Sequence, residues 1–142
     1  MTSLKTRILM LSTISAAALT AEAMVWHDGV SPVTFSIQSD TDPVVTVAAG
    51  MFADDMQAVT GRRASLVSPE NAAIRIYQLD NASASDMKSV KAAGIDVKRL
   101  QTLTDGFAIK EKDGVIHIAG TNGRGITLDM VGRCSAGEEA TA

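Results

Sequence analysis

Few residues in this sequence are of a type and spacing that could do chemistry. The stretch Gly120–Gly125 (Gly-Thr-Asn-Gly-Arg-Gly) follows an apolar run, and glycines let backbone amides approach a phosphate at a helix N-terminus. Its G-x-x-G-x-G spacing differs from the dinucleotide-binding and P-loop spacings, and no Lys follows it. We therefore predict a tight turn from a strand into a helix here, and no cofactor-binding residues.

Two further sets of side chains could be catalytic. Asp54 and Asp55 are adjacent carboxylates, but neighbours on a helix point about 100° apart and cannot flank one glycosidic bond. His117 stands between Ile116 and Ile118, so we expect it on the opposite side of a strand, facing solvent or a neighbouring domain. No G-x-S-x-G nucleophile pattern occurs. The sequence thus predicts no catalytic residues.

Composition argues against bound metal and nucleic acid. The 142 residues include a single cysteine, Cys134, and two distant histidines, which make a poor set of metal ligands. The 13 Lys and Arg residues are balanced by 16 Asp and Glu residues without a basic block, so neither a nucleic-acid surface nor a polybasic membrane patch is expected. Trp26 and His27 could contact a sugar or a partner, and the substrate-binding residues stay open.

Residues 1–23 have the three-part layout of a secretory signal peptide. Lys5 and Arg7 precede an apolar stretch, and small residues surround a cleavage position after Ala23. An N-terminal amphipathic helix is the alternative, but consecutive apolar residues point all round a helix rather than to one face. We expect an exported chain, periplasmic or extracellular, with no membrane association after cleavage.

In the first half of the chain, the sequence predicts two strands and a helix, which would position any functional site there. Val33–Ile37 alternates apolar and polar residues as a half-buried strand does, and Val44–Val47 is a β-branched run typical of a buried strand. From Ala48 to Thr60 the period becomes helical, and Gly61 is expected to end the helix in a left-handed cap. The side chains expected on its buried face are Phe52, Met56 and Val59.

The second half predicts a strand, helical turns and a hairpin. Ala73–Tyr77 is a third strand, and Ser83 or Ser85 begins a helical segment that ends at Gly94. A further short helical turn carries Val97, Leu100 and Leu103. A hairpin runs from Phe107 to Ile118 and turns through Glu111, Lys112, Asp113 and Gly114. The predicted class is α+β: a small mixed β-sheet with two or three helices on one face and a C-terminal β-hairpin.

Two stretches carry a resemblance to a known family. They are Phe52–Gly61 (Phe-Ala-Asp-Asp-Met-Gln-Ala-Val-Thr-Gly) and Asp105–Gly125, which ends in Ala-Gly-Thr-Asn-Gly-Arg-Gly. The chain from Val33 to Gly125 resembles the N-terminal domain of glycoside hydrolase family 115, the xylan α-1,2-glucuronidases. Related α+β domains precede the catalytic barrel in family 67 α-glucuronidases and family 20 hexosaminidases.

The resemblance implies a role without chemistry of its own. Members of the family remove glucuronic acid or its 4-O-methyl form from xylan side chains, and their catalytic carboxylates lie mainly in the barrel that follows this domain. The polysaccharide, xylan, would therefore be bound by that barrel. The implied division is a signal peptide at 1–23, a glycoside hydrolase N-terminal domain at 24–125 and a tail at 126–142 that departs from the family and is expected to be disordered.

The tail suggests a disrupted reading frame. Its last nine residues hold no large apolar side chain and cannot cover a sheet. Reading the codons of residues 129–132 one base later can give Ile-Trp-Trp, the kind of Trp-rich segment that follows in the family. A domain left without its last helix would expose the sheet around Ile109, Ile116 and Ile118, and we expect low stability or self-association.

Two other functions remain open. The chain could be a free-standing periplasmic module that binds a carbohydrate or a protein. It could also be an exported domain of unrelated function that shares only the fold, since a fold does not fix a function.

Overall fold

A computed structural model describes residues 27–127 and residue 130. Its centre is a five-stranded sheet with helices on both sides. The strands are β1 (Thr34–Ile37), β2 (Ser65–Leu66), β3 (Ile74–Gln78), β4 (Phe107–Lys112) and β5 (Val115–Gly120). The helices are α1 (Pro43–Thr60), α2 (Ala84–Ala92) and α3 (Val97–Gln101), and short 3-10 turns cover Pro69–Asn71 and Leu79–Asn81. Residues 123–127 are also helical.

The sheet is mostly parallel. The strand order is β2-β1-β3-β5-β4, and only the β4–β5 hairpin is antiparallel. Parallel neighbours need crossover connections, which α1 supplies between β1 and β2, and α2 with α3 between β3 and the hairpin. The fold is therefore a mixed α/β fold in which helices and parallel strands alternate.

The predicted strand at Val44–Val47 is wrong, because these residues form the first turn of α1. Pro43 occupies the first helical position, where its missing N–H costs nothing. Val45 is fully buried whereas Val44 and Val47 point outward. A short β-branched run does not distinguish strand from helix by periodicity, and the alanine-rich segment that follows it extends the helix.

The buried face of α1 differs from the predicted one. Its buried residues are Val45, Ala48, Ala49, Ala53 and Met56. Phe52 is partly buried and meets Phe35 edge-on, with ring centroids 5.9 Å apart. Val59, expected in the core, is 81% exposed. The buried positions of α1 end at Met56, so Val59 in the last turn lies beyond the part of the helix that packs in the core. Gly61 ends the helix at φ 77° as predicted.

The caps and the hairpin turn follow the sequence closely. Ser83 begins α2 in a capping box with Asp86, in which the Asp86 N–H donates to Ser83 Oγ and the Ser83 N–H to Asp86 Oδ2, both over 3.1 Å. The β4–β5 turn places Asp113 and Gly114 at φ 52° and 76°, the backbone conformation that a two-residue hairpin loop requires. The Ser83 cap and the Asp113–Gly114 turn are confirmed, whereas Glu111 and Lys112, expected in the turn, belong to β4.

The prediction of helices on one face is wrong. One core cluster joins α1 and the 123–127 helical segment to Phe35, Ile74, Ile76 and Ile118. A second cluster joins α2 and α3 to Tyr77, Leu79 and Ala119. Successive residues of a strand point to opposite faces, so the two clusters lie on opposite sides of the sheet. Ile74, Ile76 and Ile118 face the first cluster, and Tyr77 and Ala119 face the second.

The folded chain continues past the predicted boundary at residue 125. Ile126 is fully buried and Met130 is 7% exposed, and both belong to the α1-side core. Ile118, expected to be bare, is buried in that cluster, whereas Ile109 and Ile116 are partly buried. The helical segment 123–127 covers this part of the sheet through Ile126. The predicted signal peptide at 1–23 and residues 131–142 lie outside the described residues.

Candidate functional site

The carboxyl ends of β1 and β3 form the position at which an open α/β sheet most often binds a ligand. After β1 the chain passes to α1 on one face, and after β3 it passes to α2 on the other face. Two neighbouring parallel strands whose connections diverge leave a crevice between their carboxyl ends. Here the crevice is lined by polar residues that follow the two strands: Gln38, Asp40, Asp42, Gln78 and Asp80.

The amide of Gln78 lies at the centre of this crevice. The residue is fully buried. Its Nε2 donates to Asp42 Oδ2 over 3.0 Å and to Asp80 Oδ1 over 2.7 Å, and its Oε1 accepts the Asp42 N–H over 2.8 Å. Both amide protons and the carbonyl oxygen are therefore paired within the chain, two of them with charged groups.

Gln38 joins β1 to β3 through the backbone of Gln78. Its Nε2 donates to the Gln78 carbonyl over 2.9 Å and its Oε1 accepts the Gln78 N–H over 3.0 Å. The same Nε2 also donates to the Asp40 carbonyl over 3.0 Å. The side chains of this crevice thus hold one another, and the network fixes the two diverging loops rather than offering unpaired groups to a ligand.

The glycine-rich turn at 120–125 is closed by its own residues. Asn122 Nδ2 donates to the Thr104 carbonyl over 2.8 Å, and Asn122 Oδ1 accepts the Gly125 N–H over 3.0 Å. A Cβ atom on Gly123 would come within 2.7 Å of Asp42 Oδ2, so the helical start faces a carboxylate. A phosphate would be repelled there, and the predicted strand-to-helix turn is what the structure contains.

Asp54 and Asp55 lie on the exposed side of α1. Asp54 Oδ1 accepts a hydrogen bond from Arg63 Nε over 2.8 Å, with both side chains more than half exposed. A surface ion pair of this kind contributes little stability. The predicted solvated face is what the structure has.

His117 faces away from Ile116 and Ile118 as predicted, but it is buried rather than open to solvent. Its ring lies parallel to that of Tyr77, with centroids 6.2 Å apart. Burial lowers the pKa of His117, and the nearby charge of Arg75 lowers it further. Its Nδ1 has no hydrogen-bond partner among the described residues. The alternation of residues along the strand predicts which face of the sheet the His117 ring lies on. It does not predict which residues cover the ring.

His27 lies in a loop before β1. The Asp28 carboxylate accepts hydrogen bonds from the Ser31 and Val30 amides, over 2.6 and 2.8 Å, and these bonds lower the pKa of Asp28 to about 2. A shallow cleft of about 190 Å³ lies beside them, lined by His27, Asp28, Ser31, Pro32, Val33, Thr34 and Ala73. Trp26 and Cys134, also singled out from the sequence, lie outside the described residues.

Sequence inspection missed the residues that shape these clusters. Gln38 directly follows β1 and Gln78 is the last residue of β3, so a polar side chain at each strand end is visible in the sequence. The pairing of Arg75 with His117 depends on strand register, which the sequence does not give.

Neither a metal cluster nor a membrane-spanning helix is found in the described part of the chain. Residues 27–127 and 130 contain no group of three or more His, Cys, Asp or Glu side chains placed to hold a metal ion. None of the helices over this range is long and apolar enough to cross a bilayer. In comparisons with known proteins, no protein-family model matches the chain and no curated protein is significantly similar to it.

Proposed function

We propose that this chain is an exported, non-catalytic N-terminal domain of a glycoside hydrolase resembling the family 115 xylan α-glucuronidases. The proposal begins from the resemblance of Phe52–Gly61 and Asp105–Gly125 to that family. In the fold, the first stretch is the second half of α1 and the second contains the β4–β5 hairpin and the glycine-rich turn. Both contribute to the α1-side core, so the resembling segments pack as one unit.

The observation that carries the proposal is an exposed apolar stripe on α1. Val44, Val47 and Met51 recur at helical spacing and are 41%, 62% and 51% exposed. They lie on the side of the helix away from its buried alanines. A solvent-exposed apolar stripe on an otherwise amphipathic helix is typical of a surface that contacts a neighbouring domain.

Carboxylates of the crevice and of α1 are engaged within the chain. Asp42 and Asp80 share the Gln78 amide, and Asp54 pairs with Arg63. Hydrolysis of glucuronic acid or 4-O-methylglucuronic acid side chains of xylan would fall to a following barrel, as the resemblance implies. We expect the chain alone to release neither sugar from xylan.

DNA sequencing provides the first test. The source DNA should be read across codons 120–142 and several hundred codons beyond. A Trp-rich segment and a barrel in any frame are expected, and their absence from all frames would overturn the proposal. If a barrel is present, the joined protein should release the uronic acid from aldouronic oligosaccharides, while the chain alone should not.

The apolar stripe provides the second test. Val47→Ser combined with Met51→Ser should weaken co-purification of this domain with the separately produced barrel. Leu66→Ser is the matched control, because Leu66 is 64% exposed on β2 and lies off the stripe. Equal co-purification of both variants would show that the α1 stripe does not contact the barrel.

A free-standing carbohydrate-binding module is the second candidate. The buried groups of the crevice are paired within the chain. Its rim favours this candidate, because Asp40 and Asp80 are exposed there and carboxylate oxygens can accept further hydrogen bonds from sugar hydroxyls. Retarded migration of the chain in xylan-containing gels, without hydrolysis and without a downstream barrel, would support this candidate over the first.

A further inference from the structure

A row of basic side chains crosses the sheet beside the α2–α3 cluster. Arg75 on β3 is the register partner of His117 on β5, and His117 is also the register partner of Lys110 on β4. Side chains at paired positions lie on the same face, and neighbouring strands are about 4.8 Å apart. Three nitrogen-bearing side chains therefore stand side by side across three strands.

Two of these side chains carry buried nitrogens that the described residues leave unpaired. Neither Arg75 Nε nor His117 Nδ1 has a hydrogen-bond partner among them. His117 is 6% exposed, and about nine in ten buried polar groups in proteins have a partner. Two adjacent exceptions on one sheet face point to a group that the described residues do not provide.

The positive charges of the row are not neutralised by nearby carboxylates. In residues 27–127 and 130, neither Arg75 nor Lys110 forms an ion pair within 4 Å. Glu70 lies close enough for Arg75 to lower its pKa in part, although the Ser68 hydrogen bond is the larger cause. Glu111 and Asp113 act on His117 from the hairpin turn, but more weakly than burial does.

Lys112, the next cation on the same face of β4, is engaged elsewhere. Its Nζ donates to the Ala92 carbonyl over 2.5 Å, at the last residue of α2. It thereby ties the hairpin to the helix. Lys110, by contrast, is exposed and forms no ion pair with the described residues.

We propose that the row formed by Arg75, His117 and Lys110 binds the oxyanion group of a ligand, a carboxylate or a phosphate. The guanidinium Nε–H is one arm of the fork that binds such oxygens in pairs. The His117 Nδ1–H donates to the same group, and Lys110 moves over it from the strand edge. Because the two nitrogens are buried, side chains on this face must move for the ligand to reach them.

The test is an NMR titration of the protein, labelled with ¹⁵N, that follows the ring nitrogens of His117 and the Nε of Arg75. Sodium phosphate and sodium acetate are compared with sodium chloride at equal ionic strength. Phosphate, acetate or both should raise the pKa of His117 and shift the Arg75 Nε signal. A response to phosphate alone identifies a phosphate site, and a response to acetate a carboxylate site.

Variants separate the site from general charge effects. Arg75→Gln and Lys110→Gln should each weaken binding at least about tenfold, as expected for a lost hydrogen bond to a charged group. Lys98→Gln removes an exposed charge on α3 and should bind as the parent does. Lys110 lies on an edge strand, so its variant should fold even if the Arg75 variant does not.

Two results would overturn the proposal. One is an equal response to chloride, phosphate and acetate, which is what an ordered water between the two nitrogens would give. The other is equal binding by the Lys110→Gln and Lys98→Gln variants.

Discussion

Gln78 and Arg75 lie three residues apart on β3, but their surroundings differ in how many of their buried polar atoms are hydrogen-bonded. Around Gln78, every side-chain donor and acceptor has a partner, and two partners are carboxylates. Around Arg75 and His117, two buried nitrogens have none among the described residues. Paired burial stabilises a fold and unpaired burial costs free energy. The Gln78 cluster therefore stabilises the fold. At the Arg75–His117 cluster, a ligand would gain binding free energy by pairing the two buried nitrogens.

The largest expected effect is the loss of the paired cluster. Gln78→Leu leaves the Asp42 N–H and two carboxylates without their buried partner and should lower the free energy of unfolding by about 2–4 kcal/mol. Urea denaturation measures it. Gln57→Leu is the control, because Gln57 is an exposed residue of α1 and its change should stay within about 0.5 kcal/mol. Equal effects of the two substitutions would contradict a structural role for the crevice.

A smaller loss is expected at the rim of the same cluster. Asp80→Ala removes one charge-assisted bond to Gln78 and should cost about 1 kcal/mol, since Asp80 is exposed and partly screened. Asp80→Asn keeps an acceptor oxygen and should cost less. Unfolding in urea at pH 7 compares the two with the parent, and parent-like stability of both variants would mean that the carboxylate at this position is not needed.

The unpaired cluster should respond in the opposite way. His117→Leu removes a buried nitrogen that has no partner in the described part of the chain, so the gain from that removal offsets the lost contact with the Tyr77 ring. We expect a change within about 1 kcal/mol at pH 7 in the absence of ligand. Thermal unfolding gives the value. A loss as large as that of Gln78→Leu would show that His117 is paired in solution.

The pH dependence of stability gives the finest distinction. The pKa of His117 is lowered from 6.5 in the folded chain, so the unfolded chain binds more protons below that pH and stability falls on acidification. The decline begins as the pH drops through about 6.5, above the range in which Asp28 and Glu70 titrate. Urea unfolding between pH 7.5 and 5.5 should show this slope in the parent, and His117→Leu should reduce it.

Local features of this fold could be predicted from the sequence, whereas its long-range pairings could not. Ser83, Gly61 and the Asp113–Gly114 turn act through bonds and dihedral angles within a few residues. The helical first turn at Val44–Val47 depends on the length of the segment that follows it. Which helices pack on each face of the sheet depends on which strands are neighbours.

The candidate sites depend on register and were invisible for that reason. Arg75 and His117 are 42 positions apart in the sequence but directly opposite in the sheet. Gln38 and Gln78 meet because β1 and β3 are neighbours, although β2 lies between them in the chain. Residue types alone indicate that such side chains are polar, and only the strand order tells which of them meet.

The strand order also bears on how copies of this chain could associate. One edge of the sheet is β2, which is only two residues long, and the other is β4, where Lys110, Glu111 and Lys112 follow one another. Short edge strands and charged edge residues both oppose the addition of a strand from another molecule. Aggregation by extending the sheet is therefore disfavoured at either edge, so any self-association should join faces or helices and give small, soluble oligomers rather than fibrils.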